Sequence, residues 1–218
     1  MGRALFTNVK TSLEEIDGDL KDIESRRDSL IKNTRDVIND CSNSIVSIHR
    51  SDIDKARERM DRAKSTLDIL RAQARTDLYK YIVVPEQELV EAYMLRSIAE
   101  DKLLPSMKDL GVSGSAYLTG LLDCVGELKR MIYDSLRAGK PDESTKLFIV
   151  MEEIYSSVYP FAAFDNLVPG LRRKLDVTKF LIEDIRALVT EEKRRQKIIM
   201  AMDDLKRHLE TSSVKNSL

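Results

Sequence analysis

The sequence predicts an all-α fold, one domain over residues 1–210 with a disordered tail at 211–218. Three observations carry this: apolar residues recur at three- and four-residue spacing, Gly and Pro are scarce (8 and 5 of 218 residues), and the breakers fall between the periodic stretches. Apolar residues make up 42% of the chain, enough to fill one sizeable core.

The first periodic stretch runs Val9, Leu13, Ile16, Leu20, Ile23, Leu30, Val37 and on to Ile45 and Ile48, one long helix. Arg27 and Thr34 fall on its seam, either as polar register devices or as surface turned to a ligand. After SIHRSD the pattern restarts as Ile53, Ala56, Met60, Ala63, Leu67, Leu70, Ala74 and Leu78, with Ser51 or Asp52 as cap. These are two long antiparallel helices. At about 1.5 Å per residue the first spans roughly 60 Å, whereas a compact chain of this length has a radius of gyration of about 17 Å. Such a rod overhangs its own globule, which predicts self-association or a partner on the uncovered seam.

Pro85 opens a third helix, about Glu86 to Leu103. The GVSGS loop precedes a fourth, about Ala116 to Arg137, and AGKPDES precedes a fifth from Pro141 with Leu147, Met151, Ile154 and Val158 on one side. NLVPG marks the last break. A final helix from Pro169 to about Leu209 carries Leu171, Leu175, Thr178, Ile182, Ile185 and Val189, then thins into charge at EEKRRQK.

Net charge is −1, so binding to nucleic acid has to come from a local basic surface rather than bulk attraction. Cys41 and Cys124 lack CxxC or zinc spacing and read as two plain buried thiols in a reducing compartment. No run approaches the roughly 18 apolar residues of a membrane span, and MGRALFTNVK lacks the apolar core of a signal peptide. A cytoplasmic protein is expected.

On the fourth helix Leu118, Leu121, Leu122, Val125, Leu128 and Ile132 cluster on one side, with Ala116, Gly120, Asp123, Glu127, Arg130 and Asp134 opposite. That acidic face is either simply solvated or, with small Ala116 and Gly120 beside the carboxylates, has room for another helix or a ligand. The third helix is apolar nearly all round, and Glu88 and Glu91 break that rule on one sector. They either complement the positive end of the helix dipole or serve a site. If the third and fourth helices pack antiparallel, Glu88 and Glu91 face Asp123 and Glu127. Two such charges ~4 Å apart repel by about 4 kcal/mol at an effective dielectric near 20, so a nest of four requires a cation. Oxygen ligands alone select Mg²⁺ or Mn²⁺, whose usual work is to activate water and neutralise a phosphate oxygen. The two histidines, His49 and His208, lie near helix ends far from these acids, which excludes a di-iron Glu-x-x-His site and a histidine acid/base nuclease. No GxSxG or Walker loop occurs. Arg71, Arg75 and Lys80, the patch containing Arg26, Arg27, Lys32 and Arg35, and Arg130 on the acidic face are candidate nucleic-acid contacts.

Through QELVEA, YLTGLLDCVGELKRMIYDSLRAGK and LRRKLDVTKFLIEDIRAL, with SLIKNTRDVI upstream, the chain resembles the translin family, specifically its catalytic translin-associated-factor-X branch. The resemblance covers most of the chain at low identity. It implies a bundle of seven helices, assembled into a hollow octameric shell that cuts single-stranded RNA with Mg²⁺. The family's acid pairs fall on Glu88 and Glu91 in QELVEA and on Asp123 and Glu127 in LLDCVGEL, so all four are present. TDLYKYIVVP departs from the histidine- and aromatic-rich basic stretch of the RNA-binding subunit, which bears on RNA affinity and on the need for a second, translin-like subunit. Two other readings stay open. One is a non-catalytic binder of single-stranded RNA or DNA; the other is an all-α nucleoside triphosphate pyrophosphohydrolase, whose second acid pair is usually three residues apart rather than four.

Overall fold

A computed structural model describes residues 6–215, and every regular element among them is helical. The α-helices are α1 (Thr7–His49), α2 (Ile53–Ala74), α3 (Val83–Ala99), α4 (Met107–Leu110), α5 (Gly114–Arg137), α6 (Pro141–Val158) and α7 (Leu171–Lys215), with 3-10 turns at Tyr79–Tyr81 and Tyr159–Phe164. Contacts divide the chain into two compact units, Met1–Cys124 and Val125–Leu218, the division falling within α5.

In the first unit, α1 packs on α2 and α3. The predicted seams form its core: Leu30, Val37, Cys41, Ile45 and Ile48 of α1 and Ala56, Met60, Ala63, Leu67, Leu70 and Ala74 of α2 are buried. Asp52 caps α2 by accepting the Lys55 N–H at 3.3 Å. Arg62 pairs with Asp40 at 2.5 Å and the Ser29 hydroxyl donates to Gln73 Oε1 at 3.2 Å, so partners climb along α2 as they descend α1, the antiparallel pairing expected. Thr34 is buried and its hydroxyl donates to Leu30 O at 2.7 Å, a local bond within the helix. The seam is not covered along its whole length. Every residue from Phe6 to Asp22 is exposed, including Val9, Leu13, Ile16 and Leu20 at 48–59%.

α3 begins two residues ahead of Pro85, which is tolerated in a first turn where its missing N–H has no intrahelical partner to serve. It stops at Ala99 rather than near Leu103, and Asp101 turns the chain at φ +52°. The sequence reading passed over α4, although Ser106 and Asp109 form a reciprocal capping box around it.

The relation of α3 to α5 corrects one expectation. Ser113, just ahead of α5, bonds Glu86 at the start of α3, while Gly120 meets Gln87 and Val90, and Asp123 meets Gln87. Antiparallel helices would place Ser113 and Glu86 at opposite ends, so α5 instead crosses the first two turns of α3. The small residue fixes how close the crossing comes. A Cβ on Gly120 would stand 2.6 Å from Gln87 O and 2.7 Å from Val90 Cβ.

In the second unit, Leu147, Phe148, Met151, Ile154 and Val158 of α6 pack against α7, which contributes Leu171, Leu175, Thr178, Ile182, Ile185 and Val189. Arg186 and Glu152 tie the two helices at 2.8 Å. The segment Pro141–Phe164 is long and apolar enough by composition to cross a membrane, with mean hydropathy 1.2, a feature the sequence reading overlooked. Leu147, Met151, Ile154 and Val158 of this segment are buried, whereas Ile149, Tyr159, Phe161 and Phe164 stay exposed, and 22% of the apolar stretch is buried in all. α7 itself continues to Lys215, past Leu209 and into the segment read as a tail; residues 216–218 lie outside those described.

Gly120→Ala tests the crossing. Helix propensity alone favours Ala by about 1 kcal/mol, whereas overpacking at a tight backbone contact costs about 1–3 kcal/mol. Net destabilisation in urea or thermal melts is the expected outcome, and a more stable variant would mean that the helices are not in contact there.

Candidate carboxylate site

Glu88 and Glu91 stand one turn apart on α3, both half-buried. Burial pushes the thiol of Cys41 on α1 well above its ordinary pKa, and the charges of Glu88, Asp40 and Glu91 push it the same way. α3, which carries the two carboxylates, packs against α1. Asp123, also half-buried, is joined to the other helix by Gln87, which donates from Nε2 to Asp123 Oδ2 at 2.5 Å. Glu127 follows Asp123 by one turn of α5, with Arg130 Nη1 at 3.9 Å from its Oε2. Cys41 and Cys124 are buried thiols, as read from the sequence.

Glu88, Glu91 and Asp123 thus belong to one packed unit whose acid-bearing helices touch. Among the described residues, no three of His, Cys, Asp and Glu stand close enough together to hold a metal ion as placed. The donor chemistry of Glu88, Glu91 and Asp123 still fits a hard divalent cation, since all three are carboxylates and none is sealed from solvent.

The basic candidates separate into different roles. Arg71 is turned inward, its side chain 16% exposed, bonding Asp68 at 2.6 Å and Glu86 at 2.8 Å. Arg75 ends α2 in a left-handed conformation, φ +50°, and lies 3.6 Å from Asp22. Arg27 and Lys80 are brought together by Tyr81: Arg27 donates to its hydroxyl at 3.2 Å and Lys80 stands 5.2 Å from its ring centroid. That cluster is cationic, aromatic and open to solvent.

Two residues escaped the sequence reading. Gln87 had one available signal, its position between acids on the helix that carries them. Glu86 had none, because its partners Arg71, Tyr79 and Ser113 converge on it only in the fold.

These features define an all-α protein with paired acidic helices. The chain belongs to the translin family, whose family model matches residues 25–191. It is 30% identical over 163 residues to an uncharacterised protein of Methanocaldococcus jannaschii, covering 73% of each chain. Among solved structures it resembles AfC3PO (31% identity, TM-score 0.78, covering 84% of this chain and 98% of that one). It also resembles AfC3PO in a complex with duplex RNA (30% identity, TM-score 0.77, covering 84% and 97%). The likeness to apo-NeC3PO, at 21% identity and TM-score 0.72 over 82% and 95% of the two chains, is one of fold.

The Cys41 environment predicts a chemical outcome. A folded-state pKa raised above the unfolded value makes the thiol's contribution to stability complete below about pH 9 and lost progressively as pH rises beyond it. Iodoacetamide at pH 8 should leave Cys41 unmodified in the native protein and label it in urea, with mass spectrometry as the readout. Labelling at equal rates would place the thiol at the surface.

Proposed function

We propose that this translin-family chain is a Mg²⁺-dependent endoribonuclease acting on single-stranded RNA, with Mn²⁺ able to replace Mg²⁺. The observation that carries the proposal is that a chain of this family has carboxylates at all four positions, Glu88, Glu91, Asp123 and Glu127. Two further facts support it: Gln87 fixes Asp123 to the helix carrying Glu88 and Glu91, and a 30%-identical relative has been captured with duplex RNA. The four carboxylates are the residues that would hold the ion. A divalent ion bound by them supplies Lewis acidity, which activates water and neutralises charge on the phosphodiester. The chain's own part is to keep the carboxylates on rigid helices and to hold the strand. Arg27, Lys80 and Tyr81, with Arg75 and Arg130, are the residues proposed to contact phosphate and bases, single-stranded DNA being a further ligand. Arg71 is committed to Glu86 and drops to a supporting place in that set.

The uncovered apolar residues of α1 support assembly with further copies of the chain, an octameric shell in this reading, in a cytoplasmic setting. A second, translin-like subunit is required only if the homomeric protein fails to hold RNA.

One reaction tests the reading. Labelled single-stranded RNA, duplex RNA and nucleoside triphosphates are each incubated with protein in Mg²⁺ or in chelator. Single-stranded RNA should be cut in Mg²⁺ alone, and Glu91→Ala should slow cutting by more than about a hundredfold. Binding without cutting, in wild type and variant alike, identifies instead a non-catalytic binder, the reading favoured by the ungathered acids. Release of pyrophosphate identifies a pyrophosphohydrolase.

A further inference from the structure

Glu86 has no exposed surface, yet it carries a carboxylate at the first turn of α3. Burial on that scale is tolerated only when both oxygens are filled. They are filled from three other parts of the first unit. Oε1 accepts from Arg71 Nε of α2 at 2.8 Å and from the Tyr79 hydroxyl of the 3-10 turn at 2.7 Å. Oε2 accepts from the Ser113 backbone N–H at 2.9 Å and from its hydroxyl at 2.7 Å. Ser113 immediately precedes α5 and closes its first turn, the Tyr117 N–H bonding Ser113 O at 3.0 Å. Arg71 is itself anchored by Asp68 at 2.6 Å.

The residues on either side of this clamp give it a use. Gln87, next in sequence, holds Asp123. Glu88 follows. Thus a single buried carboxylate fixes where α5 starts relative to α3, and α5 then crosses α3 at Gly120 and delivers Asp123 one turn later.

We propose that Glu86 is a positioning residue for the acid site. It does not hold a ligand; through Ser113 it sets the distance between the Glu88/Glu91 pair and Asp123. This rests on the proposed function, and the two can fail separately. The clamp is distinct from the four acids because Glu86 is fully buried and its two oxygens accept four hydrogen bonds from α2, the 3-10 turn and Ser113.

Mn²⁺ binding, followed by the loss of its electron-paramagnetic-resonance signal on titration, tests the inference without relying on cleavage. Glu86→Gln keeps the side-chain shape but sets an amide NH₂ against donors. Its Mn²⁺ affinity should fall about tenfold, the lower end of what loss of a residue supporting metal ligands produces. Tyr79→Phe removes one donor only and should move affinity in the same direction by a smaller factor, which keeps the inference testable if Glu86→Gln fails to fold. Ile185→Val, in the second unit, serves as a control for general destabilisation and should lower the melting temperature without moving affinity. Where RNA is cut, the metal concentration for half-maximal rate should rise in Glu86→Gln while kcat at saturating metal and KM for RNA stay near wild type. Unchanged Mn²⁺ affinity in Glu86→Gln, or in Tyr79→Phe if only that variant folds, overturns the positioning role. Absence of Mn²⁺ binding by wild type overturns the proposed metal site, and with it this inference.

Discussion

A fully buried carboxylate organises the first unit, because leaving any of its lone pairs unserved would cost more than most single contacts return. Breaking a buried ion pair by removing one partner typically destabilises by about 3–5 kcal/mol. Glu86 therefore forces α2, the Tyr79–Tyr81 turn, α3 and the start of α5 to agree on one point. Directional bonds to one centre specify geometry in a way that the surrounding Leu and Val contacts do not, since apolar packing admits small slides. The tight approach at Gly120 then follows: α5 is started in place, and only a residue without a side chain allows it past Gln87 and Val90.

The same constraint explains which parts of the molecule could be read from the sequence. Seams with helical period name the core of α1, α2, α6 and α7 almost residue for residue, since burial in these elements is set by a one-dimensional repeat. Val9, Leu13, Ile16 and Leu20 share that repeat and yet stay exposed, because period tells which face is apolar and not what covers it. Asp52 as cap was legible from chemistry local to the chain, as was the capping box at Ser106. The crossing of α3 and α5 was not. A small residue at Gly120 announces a close approach without saying at what angle, and the angle comes from bonds to Ser113 and Gln87 formed between distant residues.

For the acids, sequence and structure contribute different halves. Spacing identified Glu88 with Glu91 and Asp123 with Glu127 as pairs on single helices, and the proposed function is what assigns those positions a role. The fold adds that Asp123 is bonded to α3 and that Glu88 and Glu91 press their field on a buried thiol. It also removes Arg71 from the solvent-facing cations while pairing Arg27 with Lys80 across a tyrosine, a grouping no linear pattern contained.

The bare first turns of α1 carry a consequence for how the chain behaves when dilute. From Phe6 to Asp22 no side chain is buried, and local pairs such as Lys21 with Asp17 contribute only a few tenths of a kcal/mol to holding a helix. Without tertiary support so short a helical segment is marginal in water, so its backbone amides trade hydrogen for deuterium with little resistance until another surface settles on them. In the assembly proposed above, the rate of that exchange is a built-in gauge of how many chains have come together at a given concentration.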